Sequence, residues 1–151
     1  MTATEADAAM ARACGEAMWA DDTASRSLGM ELLEVAPGRA RMAMRVGEQM
    51  VNGHGICHGG YIFILADSAF AFACNTYNER ALASQASISF LRPAHLGERL
   101  IAEAEERIRS GRSGIYDVRV CREDGTVIAE FRGHSRMTGQ RFFPDSERHQ
   151  P

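Results

Sequence analysis

A chain of 151 residues suits a single domain with one core, and 17 Lys and Arg against 20 Asp and Glu leave a formal net charge of -3. That balance excludes a global pull toward nucleic acid or an anionic membrane, so any anion site must be local. The longest apolar stretches lie on either side of Asp67-Ser68 and fall well short of the roughly 20 residues a membrane helix needs. The N-terminus lacks a basic region followed by an apolar core, so the expected location is cytoplasmic, with no membrane and no nucleic acid as partner. Cys14, Cys57, Cys74 and Cys121 are scattered without a C-x-x-C pair, which argues for reduced thiols rather than a disulfide framework or a zinc knuckle.

In chain order, Thr4 and Asp7 form a capping pair ahead of an Ala-rich run to Ala20, which predicts a first helix that DDTASRS then breaks. MELLEV (30–35) and RARMAMRV (39–46) flank Pro37-Gly38, and Ala40, Met42, Met44 and Val46 alternate with polar or small neighbours, the pattern of a hairpin. VNGHGICHGG follows as a Gly-rich loop. From Gly60 to about Tyr77 the chain is too long for a strand and apolar nearly all round, which predicts a buried helix ended within Asn75 to Asn78.

Four strands are predicted next, over 82–91, 99–108, 114–122 and 126–137, the first stopped by Arg92-Pro93 and the last two joined by an Asp124-Gly125 turn. The stretch 99–108 is in conflict with itself: its Glu, Ala and Arg favour helix while its period of two favours strand. A lone helix that is apolar on most sides needs a sheet curled around it, an α+β architecture. The expected units are a helical segment over 1–24, the main domain over 25–139 and a flexible polar tail over 140–151.

One residue resists this description. Asp67 stands in the middle of HGGYIFILADSAFAFAC, where a carboxylate is costly unless something pairs with it or uses it. Asn52, His54, Cys57, His58, Gly59, Gly60 and Asp67 fall within sixteen consecutive positions, with the glycines opening the predicted helix. Free amides and the helix dipole there favour a developing negative charge, such as the oxygen of an attacked carbonyl, and Asp67 lies about two turns on. The bland alternatives are a flexible loop entering a helix and a buried Asp that caps a neighbouring loop or pairs with an Arg. A zinc site from His54, Cys57, His58 and Asp67 matches no usual spacing, and the glycines of 53–59 miss the dinucleotide fingerprint by one residue. No G-x-S-x-G elbow is present, which weakens a serine hydrolase. No metal and no cofactor are expected.

Taken together, NGHGICHGGYIFILADSAFAFACN, ISFLRPAHLGERLIAEAE, SGRSGIYDVRV and VIAEFRGHSRMTG resemble the hotdog-fold acyl-CoA thioesterases, most closely their PaaI-type branch of phenylacetate degradation, over residues 25 to 139. The resemblance implies a curved antiparallel sheet around one long helix, a homodimer with adjacent central helices, usually a dimer of dimers, and active sites at the dimer interface. It implies Asp67 as nucleophile or general base, facing a loop from the other subunit across the cleft, Gly60 or Gly59 as backbone donor to the thioester oxygen, and Asn52 and His58 as groups that orient the carbonyl or the water. Ser84 and Gln85 fall where the family places a residue assisting the water or leaving group. Arg92, Arg109, Arg112 and Arg136 stand at turns or strand ends, where guanidinium groups can reach coenzyme A phosphates, with ordinary surface charge as the alternative for each. Ser113 and Gly114 would shape the loop near the pantetheine arm, and coenzyme A enters only as part of the substrate.

The implied reaction is hydrolysis of an aryl- or hydroxyaryl-acetyl-CoA. Its rivals are a hotdog enoyl-CoA hydratase and a non-catalytic acyl-CoA-binding module. Tyr61, Phe63, Phe70 and Phe72 could line an aromatic pocket or belong to the core. Asp67 must be ionised to act, and Ser68 and Asn52 are the expected donors that hold it so.

Overall fold

In the computed structural model, which describes residues 4–144, Thr4 and Asp7 cap the first helix reciprocally: each side chain accepts from the other's amide at 3.1 Å. This starts α1 (Glu5–Asp21). The expected break over DDTASRS is corrected to a junction of two helices. Asp22 follows the last turn of α1, and its carboxylate accepts from the Ser25 amide at 3.0 Å, so it caps α2 (Thr23–Ser27).

The strands β1 (Glu31–Ala36) and β2 (Arg39–Arg45) form the expected hairpin. Gly38 turns it with φ +68°, and a Cβ there would come within 2.8 Å of the Tyr77 hydroxyl. A short 3₁₀ turn, Glu48–Met50, was not expected and buries Met50 in the core.

The central helix α3 runs over Gly59–Cys74 and is capped by Asn75, within the stretch Asn75 to Asn78 expected to end it. Asn75 supplies the reason. Its amide nitrogen donates to the carbonyls of Ala71 (2.9 Å) and Ala81 (3.1 Å), and its amide oxygen accepts from the Ala81 N–H at 2.8 Å. One side chain thus terminates the helix and fastens the start of β3 (Ala81–Phe90) to it.

β4 (Arg99–Ser110), β5 (Ser113–Arg122) and β6 (Val127–Met137) complete a six-stranded antiparallel sheet in the order β1-β2-β4-β5-β6-β3. β4 resolves the conflict over 99–108. Between β2 and β5 it buries Leu100, Ala102 and Ala104, and it turns Glu103 and Glu105 outward to pair with Arg41 and Arg39. Packing on both flanks outweighs helix propensity there.

The sheet curls around α3. Leu65, Ala66, Ala69, Phe70 and Ala73 share one core with Met42, Met44, Leu100, Val118, Val120 and Phe131. α1 lies against β1, where a Cβ on Gly15 would meet Val35 at 3.0 Å, and its Trp19 ring sits 6.1 Å from that of Phe72.

The stretch read as a loose tail begins differently. The Gln140 carbonyl accepts from the Arg80 amide at 2.8 Å, and Phe143 exchanges two hydrogen bonds with the Asn78 side chain. Residues 145–151 of that tail lie outside the described residues. No helix among those described is long and apolar enough to cross a membrane.

Two surfaces remain uncovered. Along α3, Gly60 is exposed and Phe63, Ile64, Asp67 and Ala71 are half-buried, whereas most other residues of the helix are buried. These positions recur at helical spacing and form one stripe. β3 is an edge strand exposed along most of its length, Leu82 reaching 67%.

Candidate active site

The loop before α3 is tied down from within. The Asn52 side-chain oxygen accepts from the amides of His54 (2.9 Å) and Ile56 (3.1 Å), and the Cys57 and Leu96 amides donate to the carbonyls of Ala94 and Gly55. This lattice delivers His58 to the N-cap of α3, where it makes no side-chain capping bond. The first amides of the helix, at Gly59 and Gly60, are therefore left for another acceptor, at the positive end of the helix dipole. A Cβ on Gly60 would meet nothing within 4 Å, so the approach is open; at Gly59 it would strike the Phe90 ring at 2.7 Å.

Asp67 lies seven residues after Gly60, on the same stripe and about 10 Å further along the axis. Among the described residues no arginine pairs with it and no donor holds its carboxylate. The bland readings of a buried Asp, an ion pair or a loop cap, are thus not met among the described residues.

The Ser68 hydroxyl cannot serve Asp67. Ser25 gives its single proton to Asp22 Oδ2 at 2.7 Å, so the 2.9 Å contact between Ser25 and Ser68 needs Ser68 as donor. The proton expected for Asp67 points away, toward α2. The Asn52 oxygen is equally committed to its loop, which leaves only the amide N–H groups of that side chain. Burial without compensation pushes the Asp67 carboxyl above the ordinary carboxylate range.

The remaining predicted residues divide between the two ends of the subunit. Asn52, His58, Gly59, Gly60 and Arg92 gather at the opening of α3, where Arg92 Nη1 donates to the Val127 carbonyl at 3.0 Å. Ser84, Gln85, Arg109, Arg112, Ser113 and Arg136 lie toward the other end. Ser84 sits at a bulge of β3 and donates to the His134 carbonyl at 3.1 Å; Ser113 faces Arg136 across β5 and β6. Arg109 is held in place: its guanidinium stacks 3.5 Å from the Tyr77 ring centroid, and its Nε lies 3.1 Å from Glu106. Gly114 is packed, since a Cβ there would come within 2.7 Å of Ser135 Oγ.

The aromatic pocket read into α3 gives way to core packing for Phe70 and Phe72. Phe70 meets Tyr116 and Phe131 at 5.6 and 5.8 Å, and Phe72 meets Trp19. Phe63, half-buried, packs edge-on against Phe131 at 5.4 Å. Sequence reasoning passed over Phe90 and Leu91, both exposed and both lining an apolar groove beside the helix opening. Two large apolar residues in succession exceed what an alternating strand needs, and that was the available signal.

No group of three His, Cys, Asp or Glu side chains that could hold a metal ion occurs among the described residues. Cys57, offered above as one ligand, is buried, and its thiol is pushed up to about 11 by desolvation.

Residues 54–129 match the model of the thioesterase superfamily. The chain belongs to that family. It is 41% identical over 123 residues to the acyl-coenzyme A thioesterase PaaI of Escherichia coli (strain K12), an alignment spanning 82% of this chain and 88% of the relative. The solved structure of E. coli PaaI superposes with a TM-score of 0.87 at 38% identity, covering 89% of this chain and 97% of that one. A mutant of the phenylacetic acid degradation protein PaaI from Thermus thermophilus superposes with a TM-score of 0.73 at 38% identity, over 76% of this chain and 98% of that one. The chain has the hotdog fold and is a hydrolase, a thioesterase of PaaI type.

Proposed function

We propose that the protein hydrolyses aryl-acetyl-CoA or hydroxyphenylacetyl-CoA thioesters to the free acid and coenzyme A, in phenylacetate catabolism in the cytoplasm. The observation that carries this reading is an acid without a partner, on the uncovered stripe of the central helix, two turns beyond an uncapped N-terminus. The E. coli and T. thermophilus relatives supply the acyl-CoA and phenylacetate parts.

In the proposed reaction the thioester carbonyl lies against the Gly59 and Gly60 amides, which stabilise the oxyanion of the tetrahedral intermediate. Asp67 either takes a proton from the water that attacks the acyl carbon and passes it to the departing thiolate as the C–S bond breaks, or attacks the acyl carbon itself. Direct attack expels coenzyme A, which leaves as the thiol once protonated, and forms a mixed anhydride that water then hydrolyses to the free acid and the restored carboxylate. Asn52, through its free amide N–H groups, and His58 orient the carbonyl or the water.

The subunit is incomplete on this account. The stripe of α3 and the edge of β3 are surfaces a second copy would cover, with β3 pairing to β3 about a two-fold. Antiparallel pairing of the edges sets the hairpin end of one subunit beside the helix opening of the other. Asp67, Ser84, Gln85, Ser113, Arg112 and Arg136 of one copy then serve the substrate held at the Gly59 and Gly60 amides of its mate. Arg92 and Arg109, already engaged within the subunit, contribute less to the coenzyme A phosphates. A dimer of such dimers is the proposed assembly.

Thiol release from an acyl-CoA panel, acetyl through hydroxyphenylacetyl to long-chain, tests the reading directly, with preference for the aryl-acetyl esters as the expected result. Preference for long-chain esters would overturn the substrate assignment. Loss of the enoyl absorbance of crotonyl-CoA would point to a hydratase, and tight binding without thiol release to a binding module.

A further inference from the structure

A groove of about 410 Å³, within the size range of small-molecule sites, opens beside the start of α3 between Ile56, Ile62, Phe90, Leu91 and Pro93. Phe90 ends β3 and stays 52% exposed, yet its ring tip rests on the helix opening. A Cβ on Gly59 would meet Cζ at 2.7 Å and the two Cε atoms at 3.1 and 3.2 Å. Only glycine lets the ring lie this close to the amides that would receive the carbonyl oxygen.

The chemistry of the walls selects what can enter. The one charged group at the rim, Arg92, donates to the Val127 carbonyl, and Cys57 is a buried thiol that stays protonated near neutral pH. The amides of a pantetheine arm would find few partners among the aliphatic side chains and the phenyl ring, which makes the groove costly for them. An uncharged acyl group whose carbonyl is held at Gly59 reaches it directly.

Resting on the thioesterase reading above, we propose that Phe90 is the specificity-determining residue: its ring forms the wall of the acyl groove and favours a flat aryl group over a linear chain. An aryl group meets an aromatic surface and gains a stacked or edge-to-face contact beyond simple area burial, whereas an alkyl chain gains burial alone.

The test compares wild type with Phe90→Ala, Phe90→Leu and Phe90→Tyr in thiol release from phenylacetyl-, hexanoyl- and acetyl-CoA, with size-exclusion chromatography alongside. In Phe90→Ala, kcat/KM for phenylacetyl-CoA should fall about tenfold and that for acetyl-CoA by less than about twofold. Phe90→Leu should keep hexanoyl turnover and lose the aryl preference, and Phe90→Tyr, which retains a ring, should keep it. A parallel fall across all three esters would overturn the proposal, placing the pantetheine arm in the groove or, if the assembly also changes size, a second subunit. No change in any variant would overturn it as well. Failure of the wild type to release thiol from any of the three would instead remove the acyl-CoA reading, and the proposal with it.

Discussion

The two ends of the central helix are built on opposite principles. At its C-terminal end the polar side chains are engaged: Asn75 spans Ala71 and Ala81 with three hydrogen bonds, and Thr76 donates to the Ala73 carbonyl while accepting from the Gly38 amide. Close by, Glu106 receives the hydroxyls of Tyr77 and Tyr116 at 3.0 and 2.9 Å. At its N-terminal end the cap is missing and the glycines offer open amides, and midway along the helix Asp67 stands without a partner among the described residues. Buried polar groups left unmade are costly, so a fold keeps them where something else uses them. The contrast separates the end that holds the helix in the sheet from the end that works on a substrate.

That contrast can be broken from either side. The largest effect belongs to Asp67→Asn, which keeps the shape and removes the base: thiol release should fall by about 10²- to 10⁴-fold while the melting temperature does not drop. Turnover at the wild-type rate would dispose of the mechanism. At the other end, Asn75→Ala orphans the buried Ala81 amide and should cost about 2–3 kcal/mol in denaturant unfolding. The folded fraction should keep its kcat, and a selective loss of kcat would erase the division between the two ends.

Ser25→Ala breaks the chain from Ser68 through Ser25 to Asp22 and should cost about 1 kcal/mol, measured by the same unfolding curves. The smallest effect is a pH trend. The carboxyl of Asp67 is raised in the folded chain, so between the ordinary aspartate value and the raised one the unfolded state holds fewer protons, and stability falls as pH climbs through that window. Asp67→Asn cannot titrate and should lack this fall, so the two melting temperatures should agree below the window and separate above it. A difference that does not vary with pH would mean that the carboxyl is not desolvated.

Much of this was legible before any coordinates. Thr4 with Asp7, Pro37-Gly38 and Asp124-Gly125 mark local events decided by neighbouring residues, and each produced the cap or turn expected. The apolar run of α3 marked the core, and the glycines beside Asp67 marked the candidate site. What stayed hidden depended on groups distant in sequence. The end of α3 was expected within Asn75 to Asn78, but it is fixed by Asn75 reaching Ala81, and Asp22 joins two helices because Ser25 turns back to it. The commitment of Ser68 to Ser25, of Arg109 to Tyr77 and of Phe90 to Gly59 needs the folded chain to be seen. The resemblance supplied the roles of Asn52, His58 and the arginines; no local pattern carried them.

The central claim is that an unpaired carboxyl at position 67 carries the chemistry. The pH dependence of kcat/KM for thiol release, measured on wild type and Asp67→Asn together, addresses it most directly. The account predicts an acid limb in the wild type with an apparent pKa above the usual aspartate range, and its disappearance from the residual activity of the variant. The same limb in both proteins would assign it to another group and contradict the account.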